Sequence, residues 1–163
     1  MKKTAQIAIT ISMLLLTAAS VFAAGKMKVE VTAQEEIVVI NKDGDQEIHH
    51  TPTNSVVPRD VVLYTLSYHN DSTDPAEAIV LTNEIPNNMR YIDDTATSND
   101  QVSVVFSVDK GATYDLPENL FIPTEDGGER SATTADYTHI QWHFKAPLPP
   151  GAKGALEYKA RLN

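Results

Sequence analysis

Apolar and polar residues alternate at every second position along much of this chain, and this alternation constrains the fold more than any other feature. It is clearest over residues 139–145 and 156–162, where apolar side chains at even positions are separated by His, Gln, Glu, Lys and Arg. Successive side chains of a strand point to opposite faces, so this period predicts half-buried antiparallel strands. After residue 23 no amphipathic helical window exceeds a turn or two. The sequence therefore predicts an all-β protein.

Turn-forming Gly, Pro, Asn and Asp residues divide the chain into about eight short strands. The candidate strands are residues 28–32, 37–40, 61–69, 78–84, 89–92, 102–108, 138–145 and 155–162. Strands of this number and length favour an Ig-like antiparallel two-sheet sandwich with Greek-key connections. The polar stretch 115–136 is expected to be a surface loop.

Large apolar residues on the inward faces of these strands are the expected core. They are Tyr64, Leu66, Tyr68, Phe106, Ile140, Trp142, Phe144, Leu156 and Tyr158. We expect truncation of Trp142 to be the most damaging change, because a buried tryptophan fills the largest volume.

The first 23 residues have the pattern of a secretory signal peptide. Lys2 and Lys3 precede a largely apolar run over residues 7–16, and Val21-Phe22-Ala23 places small residues at the positions that a signal peptidase reads. We therefore expect export, with a periplasmic or secreted, extracellular location. Residues 24–56 are expected to form N-terminal strands that extend the sandwich, and residues 57–163 the Ig-like domain.

Composition narrows the classes of partner and chemistry. The chain contains no Cys, so disulfides and thiolate metal sites are excluded, and its formal net charge of −9 disfavours nucleic acid as a partner. No second apolar run is long enough for a membrane helix, so no membrane insertion is expected after signal cleavage. Phosphate-binding glycine loops, nucleophile elbows and zinc-protease motifs are absent, and we predict a non-enzymatic protein without a cofactor. A triad assembled from distant strands is the alternative that motifs do not address.

Two groups of residues have the chemistry of a metal site without its spacing. Asn41, Asp43, Asp45 and Glu47 supply oxygen ligands that suit weak Ca²⁺ binding, but their spacing departs from an EF-hand, and an Asp-Gly hairpin turn is the favoured interpretation. His139 and His143 lie about 13 Å apart on an extended strand, too far to share one ion. The adjacent His49 and His50 should point to opposite faces. No metal site is predicted beyond the Ca²⁺ candidates.

Residues 107–114, with the sequence SVDKGATY, are similar to the Asp-box hairpin of sialidase-like propellers. In that hairpin, aspartate and hydroxyl side chains bond to amides of the turn. One copy in a chain this short predicts a self-capped turn around Asp109. No glycosidase activity follows from it.

Four motifs, in order, resemble the conserved-repeat domain of bacterial and archaeal surface proteins, an Ig-like family long catalogued as a domain of unknown function, number eleven. The motifs are VPRD at 57–60 with YTLSYHN at 64–70, AEAIVLTNEIP at 76–86, an aromatic at 91, and IQW at 140–142 with LPPG at 148–151. Arg59 stands where the family usually has glycine, and Asn83 where it usually has aspartate. The resemblance implies an Ig-like fold, a surface or envelope location and an interaction role.

These observations lead to two hypotheses of function. The first is an exported, non-enzymatic Ig-like module of the cell envelope that acts through protein–protein interaction or self-assembly, with residues 29–40 as a possible donated strand. Its partner would be another envelope or surface protein, or a second copy. The alternative is a soluble periplasmic carbohydrate- or Ca²⁺-binding module, with Tyr137, His139, Gln141 and His143 as a polar and aromatic face.

Overall fold

Antiparallel strands make up most of the described chain. The computed structural model describes residues 27–52 and 56–163, and the expected signal peptide lies outside them. In these residues ten strands follow in the order β1 Met27–Ile40, β2 Gln46–Pro52, β3 Val61–Asn70, β4 Val80–Glu84, β5 Met89–Tyr91, β6 Val102–Ser107, β7 Phe121–Pro123, β8 Glu129–Ser131, β9 His139–Phe144 and β10 Lys153–Leu162. A 3-10 turn, Pro117–Asn119, precedes β7.

Two sheets pack face to face. The larger has the strand order β2-β1-β3-β10-β5, the smaller has the order β4-β9-β6, and β7 and β8 form a separate hairpin. The pairings within them are antiparallel. The predicted all-β antiparallel sandwich is confirmed. The strands with the cleanest alternation, β9 and β10, hold interior positions, since β9 lies between β4 and β6 and β10 lies between β3 and β5.

Aromatic and branched side chains from both sheets fill the space between them. Trp142 and Tyr158 are completely buried, and the Trp142 Nε1–H group donates a hydrogen bond to the Thr97 carbonyl at 3.0 Å. The predicted core is confirmed in its main members: Leu66, Phe106, Ile140, Trp142, Leu156 and Tyr158 are buried, and Tyr64, Tyr68 and Phe144 are partly buried against them.

The asparagine that ends the YTLSYHN motif joins two loops at one end of the sandwich. Asn70 is completely buried, and its Nδ2 donates to the carbonyls of Asp74 and Leu148, each at 2.9 Å. Its Oδ1 accepts a hydrogen bond from the Ser72 hydroxyl at 2.6 Å. A buried amide with its donors and acceptor satisfied stabilises both loops. Asn83, the second position where the sequence departs from the family pattern, donates to the Tyr158 hydroxyl at 2.7 Å.

One expectation about the bounds of a strand was wrong, and one strand of the larger sheet was not predicted. Residues 28–32 and 37–40 belong to one continuous strand, β1, because the polar residues 34–36 between them are paired on both edges, with β2 and with β3. Backbone pairing keeps this segment extended where side-chain alternation is lost. Strand β2 was not predicted, since its sequence QEIHHTP carries a single aliphatic residue.

The stretch 115–136 is not a simple surface loop. It contains the 3-10 turn and the β7–β8 hairpin, and it buries Leu120 in the core. The Arg130 guanidinium donates two hydrogen bonds to the Asp136 carboxylate, at 2.8 and 2.6 Å, and this lowers the pKa of Asp136 below its usual range. Charged pairs of this kind order a polar segment that composition alone assigns to a loop.

Candidate interaction surface: the projecting hairpin

The hairpin of β1 and β2 extends beyond the end of the sandwich. Strand β3 begins at Val61, which pairs with Glu36, so the last four residues of β1 pair with β2 only. At about 3.3 Å per residue, these four residues carry the turn about 13 Å past the end of the sheet. We call residues 37–49 the hairpin arm.

One face of the hairpin arm is aliphatic and open to solvent. Val38 and Ile48 are directly opposite each other in the pairing, and Ile40 lies two residues along on the same face. Their side chains are 60%, 56% and 60% exposed, respectively. We call these three residues the aliphatic patch. Isolated exposed aliphatic residues are ordinary in proteins, but a contiguous set on a two-stranded projection is typical of a contact surface.

An ion-pair cluster fixes the base of the arm to the sheet. The Glu36 carboxylate forms an ion pair with the Lys159 ammonium group on β10 and lies 3.6 Å from His50 Nε2. The pKa of Glu36 is lowered, first by its hydrogen bond from Lys159, against an opposing effect of burial. His49 contacts Glu47 instead, at 3.3 Å, so the adjacent histidines contact different partners, as their alternation predicts.

The tip of the arm is an Asp-Gly turn held by one asparagine. Asn41 Oδ1 accepts hydrogen bonds from the backbone N–H groups of Asp43 and Asp45, at 3.0 and 2.9 Å, and its Nδ2 donates to Glu47 Oε1 at 2.8 Å. Gly44 has φ +89°, a conformation that glycine adopts without strain. The favoured interpretation, a hairpin turn, is present.

The same contacts bear on the Ca²⁺ candidates. The amide oxygen of Asn41 and one carboxylate oxygen of Glu47 are used inside the turn, which leaves the carboxylates of Asp43 and Asp45 exposed. In the part of the chain that the structure describes, no three or more His, Cys, Asp or Glu side chains are grouped so that they could hold a metal ion. Binding of Ca²⁺ at this turn stays a prediction for titration.

The polar face proposed for a carbohydrate lies on β9 but lacks its aromatic member. His143 Nε2 lies 2.8 Å from Gln141 Oε1, and Gln141 Nε2 donates to Thr82 Oγ1 at 2.9 Å, so these side chains form a hydrogen-bonded row. Tyr137 was expected beside them, and this is wrong. Its ring is buried and stacks on Phe106 at 4.5 Å, because the residue precedes β9 and turns inward.

The segment similar to an Asp-box forms the expected self-capped turn. Asp109 Oδ1 accepts hydrogen bonds from the Thr113 N–H at 2.9 Å and from the Ser107 hydroxyl at 2.7 Å, while Oδ2 accepts one from the Thr113 hydroxyl at 2.6 Å. These bonds lower the pKa of Asp109, the Thr113 hydroxyl being the first cause. The Asp109 carboxylate stabilises the turn through these bonds, and residues 107–114 are not part of the hairpin arm.

No protein-family model, curated protein or solved structure matches this chain. The resemblance to the conserved-repeat domain stays a prediction drawn from its motifs. Across residues 27–52 and 56–163, the structure contains no helix with the length and apolar character needed to span a bilayer.

Proposed function

We propose that this protein is an exported, non-enzymatic Ig-like module of the cell envelope that acts through protein–protein contacts made by the hairpin arm. Its partner is another envelope or surface protein, or a second copy of the chain, in the periplasm or outside the cell. The signal-like N-terminus and the surface-protein resemblance support the location, and the aliphatic patch supports the mode of action.

The aliphatic patch is the observation that carries this proposal. Two-stranded ribbons are marginally stable alone, and exposed strand edges are usually protected by charge, bulges or covering segments. The arm instead presents Val38, Ile40 and Ile48 on one face and leaves β2 as an edge strand of the larger sheet. A partner that covered this face would bury aliphatic surface and could pair with the free edge.

The idea that the whole of residues 29–40 is donated to a partner loses support. Residues 27–36 of β1 already pair with β3 inside the same sheet, so donating them would break that pairing. The part of β1 beyond Glu36 has one free edge, and it is this part that can pair without unfolding the sandwich.

Site-specific photo-crosslinking in intact cells tests the proposal. A photoreactive residue at Gln46, exposed on the arm, should give crosslinked species, and the substitutions Val38→Ser, Ile40→Ser and Ile48→Ser together should remove them. The matched control is Leu116→Ser with Phe121→Ser, which removes exposed apolar side chains elsewhere. Unchanged crosslinks in the arm variant would contradict the role of the arm. Recovery of the protein only in the cytoplasmic fraction would contradict export.

A further inference from the structure

A cleft at the same end of the sandwich as the arm is lined by three arginines. Arg59, Arg90 and Arg161, three of the four arginines in an acidic chain, surround a space of about 380 Å³ beside the ends of β5 and β10. We call this space the arginine cleft. Arginine donates hydrogen bonds in a planar fork that matches carboxylate geometry, so such a cluster selects acidic groups.

Arg59 occupies a backbone position that would suit glycine better. It is the third residue of the turn Val57-Pro58-Arg59-Asp60, which the Asp60 N–H closes onto the Val57 carbonyl at 3.0 Å, and its φ is +85°. Proline followed by a positive φ is the pattern of a type II turn, in which glycine is favoured at this point. The turn bonds to β10, because the Arg59 N–H donates to the Leu162 carbonyl at 2.9 Å. A strained non-glycine residue is expected where its side chain has a use.

The other two arginines face each other with no counter-charge. Arg90 and Arg161 are direct partners in the β5–β10 pairing, an arrangement in which like charges repel. Within the described residues, no carboxylate lies at ion-pair distance from Arg59, Arg90 or Arg161. The Arg90 Nε–H group donates a hydrogen bond to a neutral group, the Thr134 hydroxyl, at 3.1 Å. An incoming anion would relieve this repulsion.

We propose that the arginine cleft receives the acidic tip of the hairpin arm from a second copy of this chain, so that two copies pair symmetrically. This inference rests on the proposed interaction role of the arm. The tip carries the exposed carboxylates of Asp43 and Asp45, with Glu47 beside them, against one exposed cation, Lys42, so it is net negative and complements the charge of the cleft. The positions of the tip and the cleft on the larger sheet also indicate that the tip contacts the cleft of a second copy and not the cleft of its own chain.

The register of the larger sheet places the two features at distances that suit a two-fold axis. Glu36, Val61, Arg161 and Arg90 form one row across β1, β3, β10 and β5, so with strands about 4.8 Å apart the arginines lie about 10–14 Å sideways from β1. The tip lies about 13 Å beyond the same row, too far from its own cleft to contact it. A two-fold axis normal to the sheet, midway between tip and cleft, brings each tip onto the other copy's arginines. Contacts made in this way are isologous, and the assembly closes as a dimer.

Charge reversal on each side, followed by mixing, tests this pairing. The protein is expressed from the full-length gene and studied by sedimentation velocity over a dilution series at low salt. We expect a reversible dimer that weakens at least tenfold in 0.5 M NaCl, since salt screens exposed charges. The tip variant Asp43→Lys/Asp45→Lys and the cleft variant Arg90→Glu/Arg161→Glu should each be monomeric. Mixed one to one, the two variants should dimerise again, because one contact then joins the reversed tip to the reversed cleft and the other joins the unchanged tip to the unchanged cleft.

Two controls separate charge from folding. Glu77→Lys/Glu125→Lys reverses the same number of acidic charges away from the arm and should leave the dimer intact. Arg59→Gly removes one cleft arginine and also relieves the positive φ, so it should weaken the dimer while the melting temperature stays equal or rises when both proteins are measured at a concentration that keeps them monomeric. Loss of dimer together with a lower melting temperature of the Arg59→Gly monomer would assign the residue a structural role only.

Failure of the tip–cleft pairing can be distinguished from failure of the interaction role proposed for the arm. A wild-type protein that stays monomeric at every concentration, or a mixture of variants that does not recover dimer, overturns the pairing of tip and cleft. Crosslinks from the arm to a different envelope protein in that case leave the interaction role standing. Absence of both dimer and crosslinks overturns both.

Discussion

Strand β9 in the middle of the smaller sheet and the outer end of β1 in the hairpin arm are both rich in large apolar residues, but only β9 has them covered. In β9 these residues alternate with polar ones and in residues 37–40 of β1 they follow one another without a break, and Trp142 on β9 is 0% exposed whereas Val38 on β1 is 60% exposed. Strand β9 has a neighbour on each edge and a second sheet over its apolar face. The end of β1 has one neighbour and no sheet over its aliphatic patch. The apolar residues of a strand therefore specify that it has an apolar face, and the surroundings decide whether that face is covered.

Truncation of apolar residues should lower the free energy of unfolding far more in β9 than in the hairpin arm. The largest loss is expected at Trp142. Trp142→Ala removes the biggest side chain between the sheets, and we expect a loss of about 3–5 kcal/mol in the free energy of unfolding. Because a domain of this size is stable by only about 5–15 kcal/mol, the variant should be poorly folded or degraded. Chemical denaturation of the purified protein, or its level in cells, measures this. A Trp142→Ala protein with wild-type stability would contradict the burial of the residue.

The second largest loss of stability is expected on removal of the buried amide of Asn70, at the opposite end of the sandwich from the arm. Asn70→Ala leaves the carbonyls of Asp74 and Leu148 without their donor, and we expect a loss of about 3 kcal/mol, since unsatisfied buried groups are destabilising. The control is Asn87→Ala, which changes an exposed turn residue and should have little effect. Equal stability of the two variants would show that the loops do not depend on Asn70.

A smaller effect on the free energy of unfolding should depend on pH, and it should come from tyrosines inside the sandwich. Burial raises the pKa of Tyr64, which stacks on Tyr158 at 4.9 Å, to about 12, and it raises the pKa of Tyr158 well above its ordinary value of 10.0. The folded state thus keeps protons that the unfolded state loses from pH 10 upward, so stability is full below pH 10 and falls as pH rises toward 12. Melting temperatures between pH 8 and pH 12 test this.

The variant Tyr64→Phe sharpens the alkaline prediction, because it keeps the ring and removes one titrating group. We expect its melting temperature to fall less steeply than that of the wild type above pH 10. An identical pH profile for the two proteins would assign the alkaline loss to other groups.

The smallest effect should come from the arm. Val38→Ser with Ile48→Ser changes side chains that are more than half exposed, and we expect the free energy of unfolding to change by less than about 0.5 kcal/mol per substitution. The measurement is denaturation at a concentration low enough to keep the protein monomeric. A loss of more than about 2 kcal/mol in the monomer would show that the chain itself covers the patch.

The sequence predicted most of the sandwich because strands with clean alternation carry local information about their own faces. The inward faces of β3, β6, β9 and β10 were readable from their period, and the turn at Asn41–Asp45 was readable from its Asp-Gly pair. Strands β2 and β8 were not readable, because nearly all their side chains are polar, and β7 has only three residues, too few to show a period. Their extended conformation depends on backbone pairing with the other strand of the same hairpin and on contacts such as Arg130 with Asp136.

The candidate surfaces were predicted less well than the fold. The sequence indicated an acidic turn and an aliphatic segment before it, but not that β3 begins at Val61 and leaves the end of β1 paired with β2 only. It showed Arg59 as a departure from a glycine, but it did not bring Arg59 to Arg90 and Arg161, which are distant in the chain. Such sites arise where separate strands end at the same edge, and no local pattern records that meeting.

The sequence by itself determined the all-β character of this protein, the apolar faces of its main strands and the positions of several turns, because backbone periodicity and turn chemistry act over a few residues. Only the tertiary structure decided which apolar faces are covered, which polar segments become strands, and where the acidic tip and the arginines lie relative to each other. The covering of faces and the placement of the tip and the arginines depend on strand order and register, which are set by pairings between residues far apart in the chain. The polar strands depend on backbone pairing across their hairpins, which the side-chain pattern does not record.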